Sequence, residues 1–237
     1  MKSGSVVEYV GNELELFKHA VNWKRYFSRS FGAYIQGDVL EVGAGNGINS
    51  GFLFDAGNAK SWTCIEPDAE LAAMISEKNR KLPVPVQVIN GLITDTTERF
   101  DTIIYIDVLE HIEDPEREVE EITKRLKNGG HLIILVPAYN YLYSSFDKKI
   151  GHFRRYNKKM LQGQIQGRLQ KKALYYLDSI GFFASVANKL FLKKDMPSLG
   201  NILLWDRFMI RLSLFFDILF FRSFGKSLIG VFRKENA

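Results

Sequence analysis

The 237-residue sequence contains one cysteine, six prolines and four histidines. A single cysteine, Cys64, excludes an intrachain disulfide and rules against a cysteine-rich metal site, so no metal is expected. Long uncharged apolar runs are also missing. The most apolar part, "NILLWDRFMIRLSLFFDILFF" (201–221), is broken by Asp206, Arg207, Arg211 and Asp217, whereas a membrane-spanning helix needs about 20 predominantly apolar residues. The start, "MKSGSVVEYVGNELELF", lacks the apolar core of a secretion signal. These absences lead to the expectation of a cytoplasmic protein, with peripheral contact at the inner face of a membrane left open. There is no internal repeat or low-complexity stretch, and 46% hydrophobic with 25% charged residues is a globular composition.

The net charge of +5 hides an asymmetry. Up to Ala138 there are 14 Lys and Arg against 21 Asp and Glu; from Tyr139 onward there are 18 against 6. A basic half suggests an anionic partner.

In the first 138 residues, β-rich runs alternate with helical patterns. "LELFKHAVNWKRYFSRSF" reads as one amphipathic helix with Leu16, Ala20, Trp23 and Phe27 on its apolar stripe. "DVLEV", "SWTCIEP", "VPVQVINGL", "FDTIIYIDV" and "GHLIILVPA" read as five strands. The intervening helices include "DAELAAMISEKNRK", capped by Asp68 with Leu71, Met74 and Ile75 inward, and "DPEREVEEITKRLKNGG", opened by Asp114-Pro115 and closed by Gly129-Gly130. Such alternation predicts an α/β fold with a doubly wound, mostly parallel sheet. Past Ala138, "LQKKALYYLD" and "KSLIGVFRK" predict two further strands, with helices across Ser179–Leu192 and Ile202–Phe221. The expected organisation is a single domain, 1–237: an N-terminal helical segment (1–37), a cofactor-binding core (38–138), and a substrate-binding insertion with helices and final strands (139–237).

Within that frame, "VLEVGAGNG" runs a strand into Gly43-x-Gly45-x-Gly47 and then a helix, a turn that lets backbone approach a ligand beside free helix N–H groups. Glu66, at the end of the next strand, is placed to accept hydrogen bonds from two ribose hydroxyls; capping the following helix falls more naturally to Asp68. "LEVGAGNG", "IEPD", "YIDVLEHIEDP" and "LKNGGHLIILVPA", in this order over Val39–Ala138, resemble the motifs of the class I S-adenosylmethionine-dependent methyltransferases. The resemblance implies a Rossmann-like fold, with S-adenosylmethionine as cofactor and S-adenosylhomocysteine as product. It places Glu41, Gly43, Ala44, Gly45 and Gly47 toward the methionine end, Glu66 on the ribose and Pro67 beside the adenine. Gly91 and Leu92 fall at the adenine edge, where Asn90 stands in place of a frequent acid, and Asp107 and Val108 fall among the cofactor contacts at the end of the fourth strand, where the substrate site also opens. His111, in "LEH", is expected in the pocket.

Methyl transfer from a sulfonium asks mainly for positioning and exclusion of water, with a general base if the acceptor is a hydroxyl. The candidate bases are His111, His152 and Asp147. "GHFRRY" follows the fifth strand, at the crevice where open α/β sheets bind substrates, which makes His152, Arg154, Arg155 and Tyr156 candidates for an anionic acceptor. An internal salt bridge from one arginine, to Glu110 or Asp147, is the competing explanation. This segment also resembles a bacterial subgroup of the family that accompanies polyprenyl-phosphate glycosyltransferases. The expected acceptor is therefore small or lipid-linked, anionic and glycan-related. RNA or protein methylation and a catalytically silent cofactor-binding module that scaffolds a membrane glycosylation enzyme are the alternatives. A nucleic-acid partner is disfavoured, since "DVLE" stands where many such enzymes have an N-P-P-Y-like tetrapeptide. In the last third, Trp205, Met209, Leu212 and Phe216 form a stripe read as core or homodimer interface, ahead of an interfacial membrane helix carrying Lys189, Lys193, Lys194, Arg207, Arg211 and Arg222.

Overall fold

The computed structural model describes residues 13–79, 82–192 and 197–235. Lys193 and Lys194, the two ends of the chain, and the Arg80-Lys81 end of the second predicted α/β helix lie outside them.

Seven strands form one sheet: β1 (Gln36–Val42), β2 (Asn58–Glu66), β3 (Val86–Asn90), β4 (Phe100–Ile106), β5 (Leu126–Pro137), β6 (Gln170–Leu177) and β7 (Ser227–Arg233). The order is β3-β2-β1-β4-β5-β7-β6. The first five are parallel, and β7 inserts antiparallel between β5 and β6. This is the expected doubly wound sheet, and strands from both halves of the chain share it.

Successive residues of a strand point to opposite faces, and the central strands are apolar on both. Val39, Ile104, Ile106, Ile133 and Leu135 pack on one side with Trp23 and Phe27 of α2 (Val21–Phe31) and Leu53 of α3 (Ile48–Ala56). Leu40, Val42, Ile103, Tyr105, Leu132 and Ile134 pack on the other with Val119 and Ile122 of α5 (Pro115–Arg125) and Leu161 of α7 (Lys158–Ile165).

Several local expectations are corrected. The N-terminal helix is two pieces, α1 (Glu13–Phe17) and α2, because the chain turns between Lys18 and Ala20 and the Lys24 ammonium is tied to the Phe17 carbonyl. In α4 (Ala69–Asn79), capped by Asp68 as expected, Ile75 is buried but Met74 is 38% exposed, and Ala72 takes the inward place. Helix α5 ends at Arg125 rather than at the Gly129-Gly130 pair, and Leu126 already pairs with Phe100 of β4.

Between β5 and β6 lie α6 (Ser145–Lys149) and α7. Between β6 and β7 lie α8 (Ser179–Ala187), α9 (Leu199–Leu204) and α10 (Ile210–Leu219), the last two joined through a π-helical turn, Trp205–Met209. Asp178 locks this region together. Its carboxylate accepts from Trp205 Nε1 (2.7 Å), Ser213 Oγ (2.8 Å) and Gly181 N (2.9 Å).

Candidate functional site

The carboxyl ends of β1, β2 and β4 converge on a cavity of about 840 Å³. Strand β1 leads into Gly43-Ala44-Gly45-Asn46-Gly47, and the three glycines take φ of 63°, 57° and 75°, a region that side chains beyond glycine rarely enter. A Cβ on Gly43 would also lie 2.6 Å from Val108 Cγ2. The turn is therefore pressed against the loop after β4. Gly43 and Ala44 donate their N–H groups to the Ile65 carbonyl at 2.8 and 3.2 Å.

Glu66 closes the turn from the side. Its Oε2 accepts from Gly45 N at 2.7 Å and its Oε1 from Asp68 N at 3.1 Å. Burial raises its pKa, and the two N–H donors only partly oppose this. Asn90 does not face a ligand through its amide nitrogen, which donates to the carbonyls of Glu66 (2.9 Å) and Pro67 (3.0 Å). Gly43, Ala44, Gly45, Glu66, Pro67, Gly91, Leu92, Asp107 and Val108 all line the cavity.

Glu41 and Gly47 do not line it. Gly47 is the left-handed residue that starts α3. Glu41 faces away from the cavity because alternation along β1 turns it toward α3 and β2, where Ser50 Oγ and Trp62 Nε1 donate to its Oε2 at 2.6 and 3.0 Å. Burial pushes its pKa up to about 7, against those two hydrogen bonds. A carboxyl raised in the folded state favours folding while protonated, and that contribution is lost as pH rises from the unfolded value through about 7. Across that window Glu41 should reduce stability by roughly 3 kcal/mol, at about 1.4 kcal/mol per pKa unit. Denaturant titrations at several pH values should show Glu41→Gln with a shallower decline than wild type; parallel curves would contradict this.

The loop after β4 carries the acid–base groups. Asp107 has φ 54° and faces the cavity; its enclosed setting pushes the pKa up to about 6, opposed by His152, Lys226, Arg155 and Lys24. In the short turn Leu109–His111, Glu110 is fully buried, and neither carboxyl oxygen has a hydrogen-bond partner among the described residues. Burial, then the Asp107 charge, raises its pKa well above the usual carboxylate range. His111 is pushed down to about 4 by burial and by His152, whose ring lies edge-on at 4.6 Å.

His152 Nδ1 is 2.8 Å from Asp147 Oδ1, and its Nε2 is 3.7 Å from Glu110 Oε1. Burial alone would raise Asp147, but hydrogen bonds from His152 and Arg155 hold it well below the usual carboxylate range. Glu110, His111 and His152 offer donor atoms all within 4.8 Å of one another, a set that could close on a cation.

The basic segment differs from its expected role. Arg155 is buried and donates to both Asp147 oxygens from Nε (2.7 Å) and a terminal nitrogen (2.9 Å); it still reaches the cavity wall. Arg154 and Tyr156 are absent from that wall. Arg154 donates to the carbonyls of Ile112 (2.7 Å) and Glu113 (2.9 Å), and Tyr156 is fully buried with its hydroxyl 3.3 Å from the Leu109 carbonyl. Both hold the "LEH" loop, because "GHFRRY" packs along it: Phe153 N donates to the Glu110 carbonyl at 2.8 Å. Asp147 likewise lies behind the wall and acts on His152.

Besides Lys18, two cations on the wall were not singled out from sequence, Lys24 and Lys226. They come from opposite ends of the chain, so no local motif marks them. Burial lowers Lys24 to about 8 and also lowers Lys226, which lies 4.6 Å from the centre of the Trp205 ring.

A cavity of this size, with a glycine cradle on one side and a carboxylate whose oxygens already accept two N–H donors beside it, suits a nucleoside-bearing ligand. Residues 18–177 match the family model described as a methyltransferase domain. The ubiquinone biosynthesis O-methyltransferases of Candida albicans (mitochondrial) and Xylella fastidiosa are 35% and 30% identical over 101 and 98 residues. Each match takes in 40% of this chain; the chain spans 31% and 40% of the length of those two relatives. Among solved structures, the N-methyltransferase NodS of Bradyrhizobium japonicum in complex with S-adenosyl-L-homocysteine aligns with a TM-score of 0.56 at 17% identity, over 95% of this chain and 89% of NodS. The [4+2]-cyclase SpnF aligns with a TM-score of 0.59 at 15% identity, over 91% and 82% of the two chains, a likeness of fold alone. The glycine turn, the acid at the end of β2 and the matched family model converge: the chain belongs to the methyltransferase-domain family, within the class I S-adenosylmethionine-dependent methyltransferases.

Proposed function

We propose that the chain methylates a hydroxyl oxygen of a small or lipid-linked anionic acceptor. Glu66 and the Gly43–Gly45 turn would hold the cofactor, with Pro67, Gly91 and Leu92 around the adenine. When bound, S-adenosylmethionine supplies a sulfonium-activated methyl group and leaves as S-adenosylhomocysteine. The observation that carries the hydroxyl reading is His152 on the cavity wall with Asp147 fixing its Nδ1. A carboxylate in that place orients the imidazole and stabilises the imidazolium that forms when Nε2 takes the acceptor proton. In that reaction His152 Nε2 would take the acceptor's hydroxyl proton as the oxygen receives the methyl group, with Asp147 holding Nδ1. His111, held neutral, adds no positive charge beside a cationic sulfonium. The names of the ubiquinone biosynthesis relatives support O-methylation.

Of the expected arginine pair only Arg155 reaches the wall, and anion recognition falls to it together with Lys24 and Lys226. Lys24, at about 8, stays largely protonated at neutral pH. A glycan-bearing lipid remains within this acceptor class. The experiment is incubation with S-adenosylmethionine and separate pools of hydroxylated aromatics, lipid-linked glycans and RNA, read by mass spectrometry for the gain of one CH₂. Transfer to a hydroxyl in the first two pools is expected. Transfer to RNA alone, or S-adenosylhomocysteine binding with no transfer to any pool, would overturn the proposal in favour of a nucleic-acid enzyme or a silent module.

A further inference from the structure

The stretch from Leu199 to Leu219 buries polar residues beside the apolar Ile202, Trp205 and Ile210. Its buried residues include Asp206, Ser213 and Asp217, at 2%, 0% and 0% exposure. Each acid has structural work inside. Asp206 accepts from the N–H groups of Asn22 (3.1 Å) and Trp23 (2.8 Å) at the start of α2. Asp217 accepts from the N–H groups of Asp178 (2.7 Å) and Ser179 (2.8 Å) at the start of α8, and from the Tyr26 hydroxyl (2.7 Å). Both therefore satisfy helix N-termini that would otherwise lack partners.

The outward face is apolar. Leu204, Phe208, Leu212, Phe215 and Ile218 recur at steps of three and four and are 51–68% exposed; Phe221, just beyond, is 91% exposed. Leu212, expected in a core stripe with Trp205, is on this outer side. The only acids between Pro197 and Lys226 are the two buried ones, so the exposed charges beside the stripe, Arg207 and Arg211, are cationic. No helix among the described residues is long and apolar enough to cross a membrane.

We infer that this face lies in the interface of an anionic lipid bilayer, with the Phe, Leu and Ile side chains among the acyl chains and the arginines at the headgroups. A contiguous exposed apolar stripe marks an interaction surface. With no exposed acid in the stretch itself, the arginines beside the stripe favour anionic lipid over a neutral surface or a second copy bearing the same positive charge. The inference stands apart from the proposed chemistry, because none of the six apolar residues lines the cavity.

Co-sedimentation of the full chain with vesicles of phosphatidylcholine alone, or mixed with phosphatidylglycerol, tests it. Wild type should bind the mixed vesicles, and Phe215→Ser/Ile218→Ser should reduce that binding at least about tenfold. Arg207→Glu/Arg211→Glu should abolish the preference for phosphatidylglycerol. Circular dichroism and S-adenosylhomocysteine affinity should match wild type in both variants, which separates surface effects from unfolding. Failure of wild type to bind either vesicle, or equal binding by the folded variants, would overturn the inference. So would a wild-type dimer that Phe215→Ser/Ile218→Ser converts to monomer without any vesicle binding, since a second copy would then be the occupant.

Discussion

His152→Ala is expected to lower kcat by about 10²- to 10⁴-fold, the usual worth of a positioned general base, and to leave S-adenosylhomocysteine affinity unchanged. The separation follows from where the groups sit. Cofactor contacts are assigned to the ends of β1, β2 and β3, whereas His152 lies past β5 against the loop that carries Glu110 and His111. Truncation leaves Asp147 paired with two guanidinium nitrogens of Arg155, so its carboxylate is not stranded. Asp147→Ala would be a poorer probe, because it frees Arg155 and His152 at once. Single-turnover rates with calorimetry on the same preparation separate the two quantities. An unchanged kcat would remove His152 from the chemistry, and a parallel loss of cofactor affinity would make it a scaffold of the pocket.

Glu66→Ala should weaken cofactor binding by about 10- to 100-fold, as expected for loss of hydrogen bonds to a charged group at a buried site. Two effects add here. The ribose loses its acceptor, and the Gly45 and Asp68 N–H groups lose theirs, which loosens the turn that the cofactor must find preformed. Glu66→Gln keeps one acceptor oxygen and should fall between. Calorimetric titration with S-adenosylhomocysteine reads all three proteins; equal affinities would refute the ribose assignment.

The sheet was legible because its signals are local. Apolar runs, a glycine turn and an Asp-Pro helix start each act over a few residues, and five parallel strands follow from them. The position of β7 between β5 and β6 depends on packing across nearly a hundred residues and left no such mark. The same distinction explains the site. Gly43, Glu66 and Asp107 come from strand ends, where topology alone places them at the cavity. Arg155 could only be assigned once its neighbours were known, and Asp147, eight residues earlier, claims it. The sequence offers Glu110 only as an internal salt-bridge partner for an arginine, yet the short turn buries it with neither carboxyl oxygen hydrogen-bonded among the described residues. In the last helical stretch Trp205 and Met209 do face the core, and only Leu212 of the expected stripe turns outward, because Asp206 and Asp217 occupy inner positions by capping other helices.

The most direct measurement is a crystal structure of the protein with S-adenosylhomocysteine. Its ribose hydroxyls should lie within hydrogen-bond distance of Glu66, its amino-acid end against Gly43–Gly45, and its sulfur toward the wall formed by Asp107, His111 and His152. Density for the ligand outside this cavity, or with the ribose away from Glu66, would contradict the assignment of the site.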